Sequence, residues 1–179
     1  MHLLVTISGP HGTGKSSVAR MLSERLGLRY VSAGELFRRL AAERKMSLED
    51  FSRVAEQDDK IDRALDEGLR EEAARGDAVI DAQLGAWMAE GYADINILLT
   101  APLEVRVRRI AMRDGTDYHR AYAETISREN SERERYRRYY GIDLRDMSRY
   151  DLILNTGKYD LDAVVDIVTL AIKRYVKPM

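Results

Sequence analysis

The stretch LLVTISGPHGTGKSSVARMLSERLG, residues 3–27, decides the fold of this 179-residue chain. It opens with an apolar run typical of a buried β-strand. Residues 16–26 carry apolar side chains at helical spacing and end before Gly27, a natural helix cap. Between them lies the pattern G-x-x-x-x-G-K-[ST], whose glycines let successive backbone N–H groups point at one anion. Strand, glycine-rich loop and helix in this order predict a phosphate-binding loop.

The side chains of this loop have different predicted roles. Lys15 reaches the β- and γ-phosphates of a nucleoside triphosphate, and the Ser16 hydroxyl can ligate Mg²⁺. His11 stands at a variable position, so we expect it to face solvent or brush the nucleotide rather than act in catalysis. The residues predicted to bind the nucleotide here are Gly9, Pro10, His11, Gly12, Thr13, Gly14, Lys15, Ser16 and Ser17.

Five short apolar runs predict strands, and helical stretches separate them. The runs are Leu3–Ile7, Tyr30–Val31, Ala78–Ile80, Ile95–Leu99 and Leu152–Leu154. The last predicted helix is Leu161–Tyr175. Strands that alternate with helices indicate a parallel sheet covered on both faces, so we predict one α/β domain over residues 1–179.

Two segments do not fit a simple alternation of strands and helices. Residues 33–76 are mostly helical, and Ile61, Leu65 and Leu69 form one stripe that can pack inward. Residues 114–146 are rich in arginine and tyrosine but poor in aliphatic residues. We expect this second segment to bury little core and to form a surface excursion or mobile flap.

Composition excludes several classes of protein. The 29 basic and 30 acidic side chains give a net charge of −1, which argues against binding nucleic acid or anionic lipid mainly by overall charge. The chain has no cysteine, so disulfides and thiolate catalysis are excluded. No apolar run approaches the ~20 residues that span a bilayer, and the N-terminus lacks signal-peptide features. We expect a cytoplasmic protein.

Among phosphate-loop proteins, the sequence favours a small kinase. The N-K-x-D motif of a guanine-binding GTPase is absent. A kinase needs an anion site for its acceptor, a carboxylate near Mg²⁺, and arginines on a closing lid. Arg38, one turn into the helix that Ser32 can cap, supplies the first; Asp81, at the end of the third strand, supplies the second. Each has a plainer interpretation, as a surface cation or an ordinary strand-end aspartate.

The lid candidates lie in RENSERERYRR, residues 128–138. Arg128 and Arg135 are two helical turns apart on one face, with Glu132 between them. A salt-bridged exposed helix is the plainer interpretation, and it would be preferred without the phosphate loop. The net charge of +2 is too small for a nucleic-acid-binding arm.

With these motifs in place, the chain resembles the archaeal-type cytidylate kinases, a branch of the nucleoside-monophosphate kinases. The resemblance rests on the phosphate loop and on further motifs along nearly the whole chain. They are LGLRYVSAGELFRRLA (26–41), MSLEDF (46–51), AE-x-D-x-x-ID (55–62), APLEVRVRRIAMRDG (101–115), ETISRENSERERYRRYYGIDLRDMSRYDLILNT (124–156) and the final helix.

The resemblance implies a five-stranded parallel sheet with an acceptor-binding insertion at 33–76 and a lid at 114–140. It implies ATP on the phosphate loop with Mg²⁺, which Ser16 and Asp81 would help to hold. Lys15, Arg128 and Arg135 would act on the transferred phosphoryl group, and Arg109 and Arg113, near the lid hinge, would touch ATP. Residues 155–158 would border the adenine. The residues predicted to bind the acceptor, CMP or dCMP, are Ser32, Gly34, Arg38, Asp81 and Gln83.

One departure from the family pattern concerns the acceptor. The family typically has E-G-R-L-x-x-W-M after the third strand, whereas this chain has DAQLGAWM at 81–88, with Gln83 replacing the arginine. Gln83 can hydrogen-bond a base edge but has no charge. The leading hypothesis is a monomeric ATP-dependent CMP/dCMP kinase without nucleic-acid or membrane partners. The alternatives are an adenylate or broader-specificity kinase and, from another class, a regulatory or RNA-associated ATPase.

Overall fold

The computed structural model describes residues 3–175 and gives every side chain in that range except those of residues 48, 49, 52 and 56. Residues 1–2 and 176–179 of the predicted domain lie outside this description. One parallel sheet has the strand order β2-β3-β1-β4-β5. Its strands are β1 Leu4–Ser8, β2 Arg29–Ser32, β3 Ala78–Asp81, β4 Ile95–Thr100 and β5 Leu152–Asn155. The predicted α/β fold with five parallel strands is therefore confirmed.

The first strand is the centre of the sheet. It pairs with β3 from Leu4 and Ala78 onward, and with β4 from Val5 and Ile95 onward. Every residue of β1 is buried. A continuous apolar run fits this position because a central parallel strand is covered on both faces. The phosphate-loop motif therefore begins at the carboxyl end of the central strand.

Eight helices are described within residues 3–175. They are α1 Lys15–Leu26, α2 Ala33–Glu43, α3 Leu48–Gln57, α4 Asp59–Arg75, α5 Gly85–Met88, α6 Leu103–Asp114, α7 Tyr118–Tyr140 and α8 Leu161–Arg174. Helices α1 and α8 pack with the sheet in one core cluster, which includes Leu22 and Val168. A second cluster includes Leu69 of α4 and Met88 of α5. The predicted inward stripe of α4 is confirmed, since Ile61 and Leu69 are buried and Leu65 packs against the second cluster.

The segment 114–146 buries more core than its composition suggested. Ile142 is buried, and Tyr136, Tyr140 and Leu144 pack around the second core cluster. Large aromatic rings here provide the apolar area that the aliphatic residues of the segment do not. The expectation of a surface excursion was therefore wrong for the C-terminal part of α7 and the residues that follow it.

None of the helices described between residues 3 and 175 combines the length and the apolar character that crossing a membrane requires.

Candidate active site

The backbone of the phosphate loop is shaped by close contacts that require glycine. At Gly9, which has φ of 144°, a Cβ atom would collide with the carbonyl oxygen of Leu99 in β4. At Gly12, a Cβ would lie 2.6 Å from the carbonyl oxygen of Arg106 in α6. Because glycine has no side chain at either point, the loop can lie directly against β4 and α6. The loop ends at α1, so its N–H groups and the positive end of that helix face one region.

Lys15 lies over this loop. Its Nζ donates a hydrogen bond to the carbonyl oxygen of Pro10 at 3.2 Å. Burial lowers the pKa of the Lys15 ammonium group, and the negative charges of Asp81 and Glu132 oppose that effect. The structure thus places Lys15 among carboxylates from β3 and α7, at the point where the predicted phosphate and acceptor sites meet.

A cavity of about 600 Å³ opens beside the loop. Arg109 and Arg113 of α6, which the resemblance implied would touch ATP, both line this cavity. Arg109 donates hydrogen bonds to the Thr156 carbonyl and hydroxyl oxygens at 2.8 and 3.0 Å, and the Thr156 hydroxyl donates to the Thr13 carbonyl at 2.8 Å. The loop, α6 and the end of β5 therefore enclose one site. The lining residues are His11–Val18, Arg109, Ile110, Arg113, Thr156, Tyr159, Asp160, Leu161 and Val164.

The predicted acceptor residues gather at the carboxyl ends of β2 and β3. Ser32 caps α2 by accepting a hydrogen bond from the Glu35 N–H at 3.4 Å, and it stands opposite Asp81 in the strand register. Asp81 is buried and accepts a hydrogen bond from the Tyr30 hydroxyl at 2.9 Å. Arg38 is exposed and forms no ion pair with any described residue. Its guanidinium is therefore available to an anion.

Gln83 faces α7, the helix of the predicted lid. It follows β3 directly, and its Oε1 atom accepts a hydrogen bond from the Tyr136 hydroxyl of α7 at 3.5 Å. Gln83 therefore lies where the carboxyl end of β3, the predicted acceptor side of the sheet, meets α7. It does not line the cavity beside the phosphate loop.

The two predicted lid arginines share a face of α7 but have different partners. The Arg128 Nε donates to Glu132 at 3.0 Å, within the helix. Arg135 reaches across to α4, where its Nη1 lies 3.0 Å from a carboxylate oxygen of Asp62. The structure therefore brings Arg128 close to the phosphate loop and places Arg135 at the predicted acceptor-binding insertion.

The sequence predicted that His11 faces solvent or brushes the nucleotide, and the structure adds a partner on α7 that this prediction did not include. The His11 side chain is 24% exposed, and its Nε2 lies 2.8 and 3.0 Å from the two carboxylate oxygens of Glu132. Tertiary packing supplies this partner: α7 crosses the loop and brings Glu132, which lies 121 residues away in the chain, next to His11. His11 still lines the cavity, but its ring is held by α7.

Arg106 is a structural residue of the site that sequence reasoning missed. It is buried, pairs with Glu129 of α7 at 2.5 Å, and donates to the His11 carbonyl at 2.9 Å. A signal existed, because Arg106 stands among Leu103, Val107 and Ile110 on the inward stripe of α6. A charged residue on such a stripe indicates a buried ion pair.

Four acidic and aromatic side chains meet where α4 packs against α7. Burial raises the pKa of Asp62, which Arg135 partly offsets, and burial also raises the pKa of Asp66 to about 6. The side chains of Tyr136 and Tyr140 lie beside them on α7. The predicted insertion and lid are thus joined by a buried polar seam, formed by Asp62, Asp66, Arg135, Tyr136 and Tyr140.

Within residues 3–175, no three histidine or acidic side chains cluster closely enough to hold a metal ion on their own. Ser16 is exposed at the start of α1 and lines the cavity. A hydroxyl at this place suits Mg²⁺ that is bound chiefly through nucleotide phosphates and water, which requires few protein ligands.

Comparison with known proteins identifies the family. Residues 4–158 match the model of the cytidylate kinase-like family. A cytidylate kinase from Halobacterium salinarum is 49% identical over 174 residues, which cover 97% of this chain and 91% of that protein. The chain belongs to the cytidylate kinase-like family. The cytidylate kinase from Ignicoccus hospitalis is 48% identical over 165 residues, covering 92% of this chain and 96% of that protein.

Solved structures share the fold of this cytidylate kinase-like chain at much lower identity. A shikimate kinase from Bacteroides thetaiotaomicron superposes with a TM-score of 0.67 at 12% identity, covering 97% of this chain and 99% of that one. An uncharacterized protein from Eubacterium ventriosum gives a TM-score of 0.74 at 18% identity, covering 96% and 99%. These likenesses concern the fold alone, whereas the family match confirms the resemblance seen in the motifs.

Proposed function

We propose that the protein transfers the γ-phosphoryl group of ATP to CMP or dCMP, giving CDP or dCDP and ADP. The observation that carries this proposal is the placement of Lys15, which lies between a phosphate loop with an open cavity and the acceptor residues at the ends of β2 and β3. A phosphoryl donor and a phosphate acceptor can therefore meet at one cation. The family membership of the chain supports cytidine nucleotides as acceptors.

ATP binds with its phosphates on residues 9–17 in this proposal. Arg109 and Arg113 flank the nucleotide from α6, and Thr156 and Tyr159 border its base. Ser16 and Asp81 help to hold Mg²⁺, which neutralises charge on the phosphates. Asp81 acts from the strand end, where the Tyr30 hydroxyl fixes its carboxylate.

The acceptor nucleotide lies between the insertion, residues 33–76, and the lid, residues 114–140. Its phosphate meets Arg38 at the N-terminal part of α2, where Ser32 and Gly34 leave room for an anion. Gln83 contacts the acceptor nucleoside. Arg128 and Arg135 close over the transferred group, which neutralises its oxygens and keeps water out. The enzyme acts as a monomer in the cytoplasm.

A coupled assay of ADP release tests the reaction. ATP and Mg²⁺ are combined with CMP, dCMP, UMP, AMP, GMP or dTMP in separate reactions. We expect CMP and dCMP to give the highest kcat/KM, and ATP hydrolysis without acceptor to be at least a hundredfold slower, because water is excluded from the closed site. Acceptor-independent turnover that RNA stimulates, or faster turnover of AMP than of CMP, would contradict the proposal.

A further inference from the structure

The carboxylate of Glu132 is buried between the phosphate loop and α7, and the proposed phosphoryl transfer assigns it no role. The residue is only 6% exposed. Burial by itself would raise its pKa, but hydrogen bonds and charge from His11 and Arg128 outweigh burial and hold the pKa of Glu132 below its ordinary value. A buried carboxylate that is kept charged by the His11 ring and the Arg128 guanidinium fixes the position of both side chains, because a buried charge that loses a partner destabilises the protein.

The contact with Glu132 determines which way Arg128 faces. Arg128 uses its Nε for Glu132, and its two terminal amino groups have no partner among the described residues. The guanidinium is planar, so anchoring Nε fixes the plane and leaves the terminal pair free to bind phosphate oxygens bidentately. The side chain is 65% exposed, and its charge acts on Lys15. Glu132 therefore anchors Arg128 where its charge reaches Lys15 at the end of the phosphate loop.

His11 holds the same carboxylate from the loop side. Its ring contacts Glu132, while its backbone carbonyl accepts a hydrogen bond from Arg106, which also pairs with Glu129. One loop residue is thus tied to α7 through both its side chain and its backbone. This double attachment sets the distance between the loop that binds phosphates and the helix that carries Arg128.

We propose that His11 and Glu132 are positioning residues for phosphoryl transfer: the His11–Glu132 pair holds the guanidinium of Arg128 in place over the phosphate loop. This inference rests on the proposed kinase function, in which Arg128 acts on the transferred phosphoryl group. Because positioning affects the transition state more than ground-state binding, loss of the pair lowers kcat and leaves the KM for ATP nearly unchanged.

Three histidine substitutions test the proposal. His11→Leu removes the ring hydrogen bond, whereas His11→Gln keeps an N–H donor at nearly the same reach. We expect His11→Leu to lower kcat about tenfold to a hundredfold, as for a lost hydrogen bond to a charged group, with KM for ATP changed less than about threefold. His11→Gln retains most of the activity. The control is His119→Leu, which removes an exposed histidine near the start of α7 and leaves kcat unchanged.

A double-mutant cycle with Arg128→Ala separates positioning from a merely structural role. If His11 acts through Arg128, then His11→Leu lowers kcat by less than about twofold in the Arg128→Ala background. An equal loss in both backgrounds, or a fully active His11→Leu enzyme, overturns the inference. If circular dichroism shows that His11→Leu does not fold, Glu132→Gln replaces it in the same cycle. A wild-type enzyme without CMP-dependent turnover would instead contradict the proposed function.

Discussion

At the scale of single residues, packing does not explain the position of Lys15. Among the described residues, its ammonium group donates a hydrogen bond only to the Pro10 carbonyl oxygen, and burial lowers its pKa. A cation held in such surroundings gains little stability for the fold. In the proposed reaction, its location between the loop and Asp81 lets it contact the anionic phosphates of the bound nucleotides.

We therefore predict that Lys15→Ala removes at least about 99% of kcat while the fold survives, since loss of one preorganised donor to a developing charge costs about a hundredfold or more. The free energy of unfolding should change by less than about 1 kcal/mol. The assay of ADP release and urea unfolding measure the two quantities. Lys60→Ala, which removes an exposed lysine of α4, should leave both unchanged. An active Lys15→Ala enzyme would refute the role of Lys15.

Gln83 allows the acceptor side to be tested apart from the donor side. It contacts Tyr136 and does not line the cavity beside the phosphate loop. We predict that Gln83→Ala raises the KM for CMP about two- to tenfold, as for one lost hydrogen bond, and leaves the KM for ATP unchanged. Gln83→Glu, of nearly the same size, should raise the KM for CMP further because it brings a negative charge to an anionic acceptor. A matching rise in the KM for ATP would contradict this placement.

The sequence predicts the location of a residue well where a local motif determines it. Gly9, Lys15 and Ser16 follow from a pattern of eight consecutive residues. The partners of His11 and Arg135 do not, because Glu132 lies 121 residues from His11, and Asp62 lies 73 residues from Arg135. Such pairs are created by the packing of α7, and no spacing in a single sequence encodes them. The burial of Arg106 could have been predicted from the sequence, because this residue stands on the apolar stripe of α6.

At the scale of elements, the polar seam between α4 and α7 contains a carboxyl group with a raised pKa, that of Asp66. Asp66 is buried, and its Oδ2 has no hydrogen-bond partner among the described residues. Burial raises its pKa to about 6. In the unfolded chain the same group ionises near its ordinary value of about 3.9. Between these values the folded protein retains a proton that the unfolded chain has lost.

Folding stability should therefore fall as pH rises from about 4 to about 6, and this contribution should be level at higher pH. We predict that Asp66→Asn, which cannot titrate, gains stability relative to the wild type across this window, by about 2–3 kcal/mol in total. Urea unfolding at a series of pH values measures the difference. Glu67→Gln, which neutralises an exposed carboxylate of the same helix, should show no such gain. A flat difference for Asp66→Asn would refute the shifted titration.

The strands and most helices were predictable because apolar periodicity and capping residues mark them. The five strands begin and end within one residue of the apolar runs, and α1 ends at Leu26, where Gly27 caps it in the left-handed conformation that glycine favours. The contribution of the segment 114–146 to the core did not follow from its composition, because its apolar area comes from tyrosine rings and not from aliphatic side chains. The rings of Tyr136 and Tyr140 pack against the core, and the number of aliphatic residues does not predict this burial.

At the scale of the whole molecule, the order of the strands determines when the site can exist. The central strand β1, near the N-terminus, must pair with β3 and β4, which lie about seventy-five and ninety residues later. The loop is then closed by Thr156, whose hydroxyl bonds to Thr13. Long-range pairing of this kind forms late, because the chain must close large loops before these contacts stabilise it. During synthesis on the ribosome, the loop that is made first is therefore completed almost last. A nascent chain shorter than about 156 residues lacks the contacts of Thr156 with Thr13 and Arg109, so the proposed nucleotide site is incomplete until this part of the chain has folded.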